Sequence, residues 1–91
     1  ISLGEDLDEK KIHAFITILP KSENLKDLMR DIRPYPEIAE IYSLAGKCGL
    51  LVKVNVSDLT ELDALIESFK ARGDIDQVES VCVVLRRIKV N

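Results

Sequence analysis

Apolar residues recur at helical spacing in two separate segments of the chain. In each segment they fall at positions i, i+3, i+4 and i+7, which places them on one side of a helix. Charged residues occupy the remaining positions, as is typical of a helix with one buried and one solvated side. The two predicted stripes are Leu25, Leu28, Met29 and Ile32, and then Leu62, Leu65, Ile66 and Phe69.

Capping and turn residues bound both predicted helices. Ser22 is a suitable N-cap for the first helix, and Pro34 ends it because proline cannot continue a helix. Asp58 followed three residues later by Glu61 resembles a capping box at the start of the second helix. We expect Gly73 to end that helix.

Four segments are rich in β-branched and other apolar residues and predict strands. Pro20 closes the first strand, and Gly46 and Gly49 mark a tight turn that makes the second and third strands a hairpin. The predicted strands cover residues 12–19, 38–45, 50–56 and 77–88.

The predicted element order is strand, helix, strand, strand, helix, strand. Two strand–helix–strand halves with right-handed crossovers predict an α+β fold of the ferredoxin-like βαββαβ type. It has a four-stranded antiparallel sheet with both helices on one face. The polar, acidic residues 1–11 are predicted to be an N-terminal arm or linker, which leaves residues 12–91 as the folded domain.

The strands alternate poorly between apolar and polar residues. A sheet with one wet face should alternate cleanly, yet the face away from the helices carries Phe15, Leu19, Leu51 and Val84. Exposed apolar patches of more than a few hundred Å² are rare on monomers. We therefore expect a cover: a second copy of the same sheet, another domain, or the N-terminal arm. A homodimer is the commonest solution, and a monomer with a partly apolar sheet is the alternative.

Composition excludes several classes of protein. A length of 91 residues allows one domain, and a net charge of −3 argues against nucleic-acid binding. The one basic cluster, Arg86, Arg87 and Lys89, is typical of a solvated strand end. No apolar run is long enough to cross a membrane. Cys48 and Cys82 are too few and too far apart for a disulfide framework, so we expect reduced thiols and a cytoplasmic location.

Catalytic constellations are not visible in the sequence. His13 is the only histidine, and a lone histidine on a strand is more often structural than catalytic. No spacing of His, Cys, Asp or Glu suggests a metal site, and the Gly46–Gly49 turn lacks the context of a dinucleotide fingerprint. We expect a non-enzymatic domain without a cofactor.

The hairpin resembles a motif of the Lrp/AsnC family effector domain, Thr-Gly-x-x-Asp followed by three apolar residues and Lys-Val. The resemblance extends over residues 10–90, and its first strand and second-helix entry are also similar. The matching stretches are His13-Ala14-Phe15-Ile16, Glu40-Ile41-Tyr42-Ser43-Leu44, Ala45-Gly46-Lys47-Cys48-Gly49-Leu50-Leu51-Val52-Lys53-Val54, Ser57-Asp58-Leu59-Thr60-Glu61-Leu62 and residues 78–89.

The resemblance implies a ligand-sensing and oligomerisation domain of a transcriptional regulator, without the winged DNA-binding domain. Such domains pair their sheets face to face, assemble further into rings or chains, and bind small effectors, typically amino acids, between dimers. The family's turn acid aligns with Gly49, and its last-strand threonines align with Ser80 and Cys82. Carried over by position, the ligand-binding residues are Gly46, Lys47, Cys48, Gly49, Ser80 and Cys82.

Two other functions fit the same topology. A monomeric peptide-binding chaperone-like module would capture an extended segment of a partner. An ACT-like allosteric domain of a metabolic enzyme would share both the fold and the dimer. The oligomeric state separates the first of these from the regulator.

Overall fold

The structure, a computed structural model, describes residues 11–21, 25–45 and 49–90. The element order is the βαββαβ order predicted from the sequence. The predicted arm lies outside the described residues apart from Lys11. The elements are β1 (Ile12–Pro20), α1 (Leu25–Ile32), β2 (Ile38–Ser43), β3 (Leu50–Val56), α2 (Leu59–Lys70) and β4 (Ile75–Val83).

The four strands form one antiparallel sheet in the order β2-β3-β1-β4. The first strand is therefore central, and β2 and β4 are the two edges. This is the ferredoxin-like α+β architecture, in which each βαβ half spans an intervening strand. Neither helix in the described part of the chain is long and apolar enough to span a membrane.

The hydrophobic core lies between the sheet and both helices. Alternate residues of β1 and β3 point into it, as the period of two along a strand requires. The predicted helical stripes supply the other side, with Phe69 fully buried. The core residues are Ala14, Ile16, Ile18, Leu28, Ile32, Leu50, Val52, Val54, Val56, Leu62, Leu65, Phe69 and Ile75.

The predicted cap of α2 is present. The Glu61 backbone N–H donates to the Asp58 carboxylate at 2.8 Å, and the Glu61 side chain accepts from the Ser57 backbone N–H at 3.2 Å. The first bond satisfies one of the amides that a helix start leaves without a partner, and the second ties the residue before the N-cap to the first turn. The predicted cap of α1, Ser22, lies outside the described residues.

Several predicted boundaries are wrong. Strand β1 ends at Pro20 rather than at residue 19, and strand β4 begins at Ile75 rather than at residue 77. Strand β2 ends at Ser43 rather than at residue 45. Helix α2 ends at Lys70 with a right-handed C-cap at Ala71, so Gly73 lies in the following turn and does not terminate the helix through a left-handed conformation. Strand β4 ends at Val83 rather than at residue 88. Because Ala14 is opposite Val83 and β1 begins at Ile12, β1 offers no partner to residues beyond 85.

Candidate functional site

One face of the sheet is free of helices, and we call it the open face. The strand register decides its membership, because residues paired across an antiparallel ladder point to the same side. The open face consists of His13, Phe15, Thr17, Leu19, Glu40, Tyr42, Leu51, Lys53, Asn55, Gln77, Ser80, Cys82 and Val84.

The apolar residues predicted for this face are where the sequence placed them. Phe15 lies at the centre, opposite Lys53 on β3 and Cys82 on β4. Leu51 and Tyr42 are paired beside it. Phe15, Leu19, Leu51 and Val84 are each only half-buried by their neighbours. The face is therefore a mixed surface with an apolar centre, which is the composition of a surface that another protein covers.

A buried polar pair lies at one end of the open face. His13 is only 7% exposed, and its Nδ1 lies 2.5 Å from the Asn55 Oδ1. A carbonyl oxygen only accepts hydrogen bonds, so Nδ1 carries the proton and donates. The predicted structural role of His13 agrees with this arrangement, because the pair joins neighbouring strands β1 and β3 at matched register.

A charged group occupies the β2 side of the same face. The Lys53 ammonium lies 3.5 Å from the Glu40 carboxylate, and these residues are register partners. The Tyr42 hydroxyl hydrogen-bonds to the same carboxylate, which raises the pKa of the phenol above its usual value. Glu40 therefore serves two partners and is charge-compensated on the open face.

The turn that carries four predicted ligand-binding residues is described only at its last position. Gly46, Lys47 and Cys48 lie outside the described residues. Gly49 has a φ of +75°, in the left-handed region that favours glycine. A Cβ at this position would lie 2.3 Å from the backbone oxygen of Ile18 and 2.9 Å from the Leu19 Cδ2. The backbone thus leaves no room at residue 49 for the carboxylate that the family places there.

The other two predicted ligand-binding residues lie on the edge strand β4. Ser80 is opposite Thr17 and Cys82 is opposite Phe15, so both are on the open face and both are exposed. Gly49 lies at the start of β3, opposite the end of β1 and on the side of β1 that faces away from β4. Two strand spacings, at least about 10 Å, therefore separate Gly49 from Ser80. Within one chain the structure brings Ser80 and Cys82 together, but not Gly49 with either.

The sequence did not reveal two further surface features. One is the segment 84–90 after β4, which we call the C-terminal segment; it has no regular structure and exposes Leu85, Ile88 and Val90. The other is a groove of about 330 Å³ between α1 and the edge strand β2, which we call the β2 groove. The sequence predicts a strand that continues through the apolar residues of this segment as far as residue 88. The groove depends on how α1 crosses the sheet, which no local pattern specifies. The lining residues are Met29, Arg33, Ile38, Ala39, Glu40 and Ile41.

Comparison with protein families identifies the class of this domain. Residues 13–91 match the family described as the Lrp/AsnC ligand binding domain. The match covers most of the chain, and it agrees with the resemblance seen at the hairpin. The chain therefore belongs to the Lrp/AsnC family and carries the ligand-binding domain of that family of transcriptional regulators. Among curated proteins, none matches the chain significantly.

Solved structures with this fold include both short chains and longer regulators. FFRP-DM1 is 27% identical with a TM-score of 0.75, and the match covers 81% of this chain and 99% of that one. An AsnC family transcriptional regulator from Agrobacterium tumefaciens is 28% identical with a TM-score of 0.76, covering 93% of this chain and 60% of the regulator.

A third structure is a transcriptional regulator from Neisseria meningitidis in complex with L-methionine. It is 18% identical with a TM-score of 0.76, covering 87% of this chain and 53% of that one. At this identity the likeness is one of fold. This chain thus spans between half and two thirds of the length of the two regulators and nearly all of FFRP-DM1.

Proposed function

We propose that this domain is a non-enzymatic, cytoplasmic sensing and assembly unit that binds a small effector between subunits. The observation that carries the proposal is the open face of the sheet in a member of the Lrp/AsnC family. Its apolar centre at Phe15 and Leu51 is half-buried in one chain, and burying apolar surface is favourable by roughly 25 cal/mol per Å². A second copy of the same face is a self-complementary cover.

The distribution of the predicted ligand-binding residues supports a site shared between subunits. Gly49 and Ser80 lie on strands separated by β1, and the exposed Cys82 continues the line of Ser80. We expect a contact between subunits to bring the turn of one chain next to Ser80 of another, closer than the two strand spacings that separate them in one chain. Residues 46–49 of one subunit and Ser80 and Cys82 of another therefore form the proposed site.

The proposed effector is an amino acid or a related metabolite. The Neisseria meningitidis regulator of the same fold was crystallised with L-methionine. In this chain the left-handed Gly49 replaces an acid, so residue 49 supplies no carboxylate to an ammonium group. We therefore include metabolites without a free amino group among the candidates.

Solution mass across a concentration series tests the assembly half of the proposal. We expect a dimer or an even multiple for the wild-type chain at low micromolar concentration. Phe15→Glu should dissociate it by burying a charge at the centre of the face. Asp63→Lys, an exposed change on α2, is the control and should not. A wild-type monomer would overturn the shared site and favour the peptide-binding alternative.

An effector screen tests the sensing half. We expect at least one amino acid or related metabolite to change the assembly size or to raise the melting temperature of the oligomer, because a ligand that prefers one state shifts the population toward it. Ser80→Ala together with Cys82→Ala should remove that response. Because both residues lie on the open face, the solution mass of the double variant without ligand is measured as its control. Indifference to the whole panel would contradict effector binding.

A further inference from the structure

We infer that residues 1–10 of the predicted N-terminal arm fold back onto the helix side of their own sheet. There they cover an apolar surface that the described part of the chain leaves exposed. We call this surface the β4 strip, and it consists of Leu59, Val81 and Val83. The strip is on the side of the sheet opposite the open face, so the inference goes beyond the proposed function and does not depend on the dimer.

The strand register places the β4 strip on the helix side. Val81 is opposite Ile16 and Val83 is opposite Ala14, and both of these β1 residues are fully buried in the core. Residues paired across an antiparallel ladder point to the same side. Val81 and Val83 therefore point toward the helix layer, yet they are 36% and 42% exposed, whereas Ile75 is buried. The start of β4 is thus covered and its end is not.

The course of α2 explains this difference. The helix begins three residues after β3 ends at Val56, and it is followed by the turn that leads to Ile75 at the start of β4. It therefore begins beside β3 and approaches β4 only at its own end. Leu59 lies on the same side of the helix as Leu62, which is buried, but Leu59 is 62% exposed. The first turn of α2 and the end of β4 are at the same end of the sheet, because Val56 is opposite Ile12 on β1.

The arm leaves the sheet at this same end. Strand β1 begins at Ile12, two residues before Ala14, the partner of Val83. Neighbouring strands lie only about 4.8 Å apart. The chain between Leu7 and Ile12 can extend over roughly 17 Å. A reversal of the chain before β1 therefore brings Leu7 over the end of β4.

Apolar residues of the arm match the strip. Residues 1–10 contain Ile1, Leu3 and Leu7. The spacing of four residues between Leu3 and Leu7 places both on one side of the segment, whether it is helical or extended. Covering the strip with these side chains is favourable by roughly 25 cal/mol per Å² of apolar surface. An uncovered surface next to the arm thus has an apolar partner in the same chain.

Charges of the arm are complementary to those beyond the strip. Arg86 and Arg87 follow the end of β4 and are exposed. Opposite charges steer a contact and fix its orientation more than they add to its affinity. The arm therefore supplies leucines for the strip and acidic groups for the basic residues beside it. Its carboxylates are Glu5, Asp6, Asp8 and Glu9.

Methyl NMR of the full chain tests the contact directly. With leucine and valine methyl groups labelled, we expect nuclear Overhauser cross-peaks from Leu3 or Leu7 to Val81 or Val83. A mixture of chains labelled only at leucine with chains labelled only at valine should lose these cross-peaks, because the contact lies within one chain. Cross-peaks that persist in the mixture would place a second copy on the strip and overturn the inference. Their absence from the fully labelled chain would also overturn it.

Trypsin cleavage after Lys10 is the second measurement, because a docked segment is cut only when it opens. Leu3→Ser with Leu7→Ser should raise the cleavage rate at least about tenfold, and so should Val81→Ser with Val83→Ser. All four changes together should raise it no further than either pair, since each pair already breaks the same contact.

Leu44→Ser is the control for these variants. Leu44 is 37% exposed, like Val81, but it follows β2 at the opposite edge of the sheet. Its substitution should leave the cleavage rate within about twofold of wild type. A wild-type chain that is cut after Lys10 as fast as the Leu3 and Leu7 variant would overturn the inference. That result is decisive even if the valine variant unfolds, because the leucine variant leaves residues 11–91 unchanged.

Discussion

A single methyl group added at Gly49 should strongly lower the free energy of unfolding. Its φ of +75° costs a residue with a Cβ about 1–2 kcal/mol. The added Cβ would lie 2.3 Å from the Ile18 backbone oxygen. Ile18 pairs with Leu50 in the β1–β3 ladder, so no side-chain rotation can relieve the overlap.

The magnitude follows from both effects. Relieving the overlap requires a backbone shift in the central ladder, and such overpacking typically costs about 1–3 kcal/mol. We therefore expect Gly49→Ala to lower the free energy of unfolding by about 3 kcal/mol. That is a large share of the roughly 5–15 kcal/mol that stabilises a typical domain.

Urea denaturation at fixed protein concentration measures this loss, because oligomerisation makes apparent stability depend on concentration. Gly73→Ala is the matched control: no atom lies within 4 Å of its added Cβ, and its backbone is not left-handed. It should be neutral or stabilise by up to about 1 kcal/mol. A Gly49→Ala variant within about 0.5 kcal/mol of wild type would refute the reasoning and reopen residue 49 to a side chain.

Two further predictions concern single polar contacts. Asp58→Ala removes the acceptor of the 2.8 Å bond at the start of α2 and should cost about 1 kcal/mol in urea unfolding. Asp63→Ala, an exposed change of the same charge on that helix, should cost clearly less, and equal losses would contradict the cap. Arg72 hydrogen-bonds to Asp74 at 2.9 Å and lowers the pKa of that carboxyl. The Arg72–Asp74 pair therefore stabilises the folded state fully above the unfolded pKa of about 3.9. This stabilisation is lost as the pH falls through the lower folded pKa of Asp74. Since the pair is partly exposed, Asp74→Asn should cost below about 1 kcal/mol at pH 7, with the difference from wild type vanishing toward pH 2; a difference that persists there would exclude this ion pair as its cause.

Periodicity predicted the existence and order of all six elements, because each apolar stripe buries a face that the fold must cover. The ends of elements were harder to predict. Residues 84–88 have the composition of a strand, yet a strand extends only as far as its neighbour, and β1 begins at Ile12, opposite residue 85. That information lies about seventy residues away in the sequence. Local propensity therefore does not predict the residue at which β4 ends.

Some features of the candidate site were predicted from the sequence, and others depend on the three-dimensional structure. The two glycines of the turn predict a backbone with positive φ, and the left-handed conformation of Gly49 confirms this prediction. The separation of Gly49 from Ser80 follows from the strand order β2-β3-β1-β4 rather than from any motif. The β2 groove depends on the packing of Met29 and Arg33 over Ile38, which needs three-dimensional coordinates.

The central position of β1 has a consequence for folding during synthesis. Strand β1 is translated before the other three strands of the sheet, but its partners are residues 50–56 and 75–83. Until Val83 has been added, one side of β1 has no ladder and the core face of Ile16 and Ile18 is incompletely lined. Contacts so distant in sequence are slow to form because the intervening chain must first be ordered. A nascent chain that stalls within α2 would therefore display an apolar strand that is paired on one side only, which is a substrate for chaperones and for aggregation.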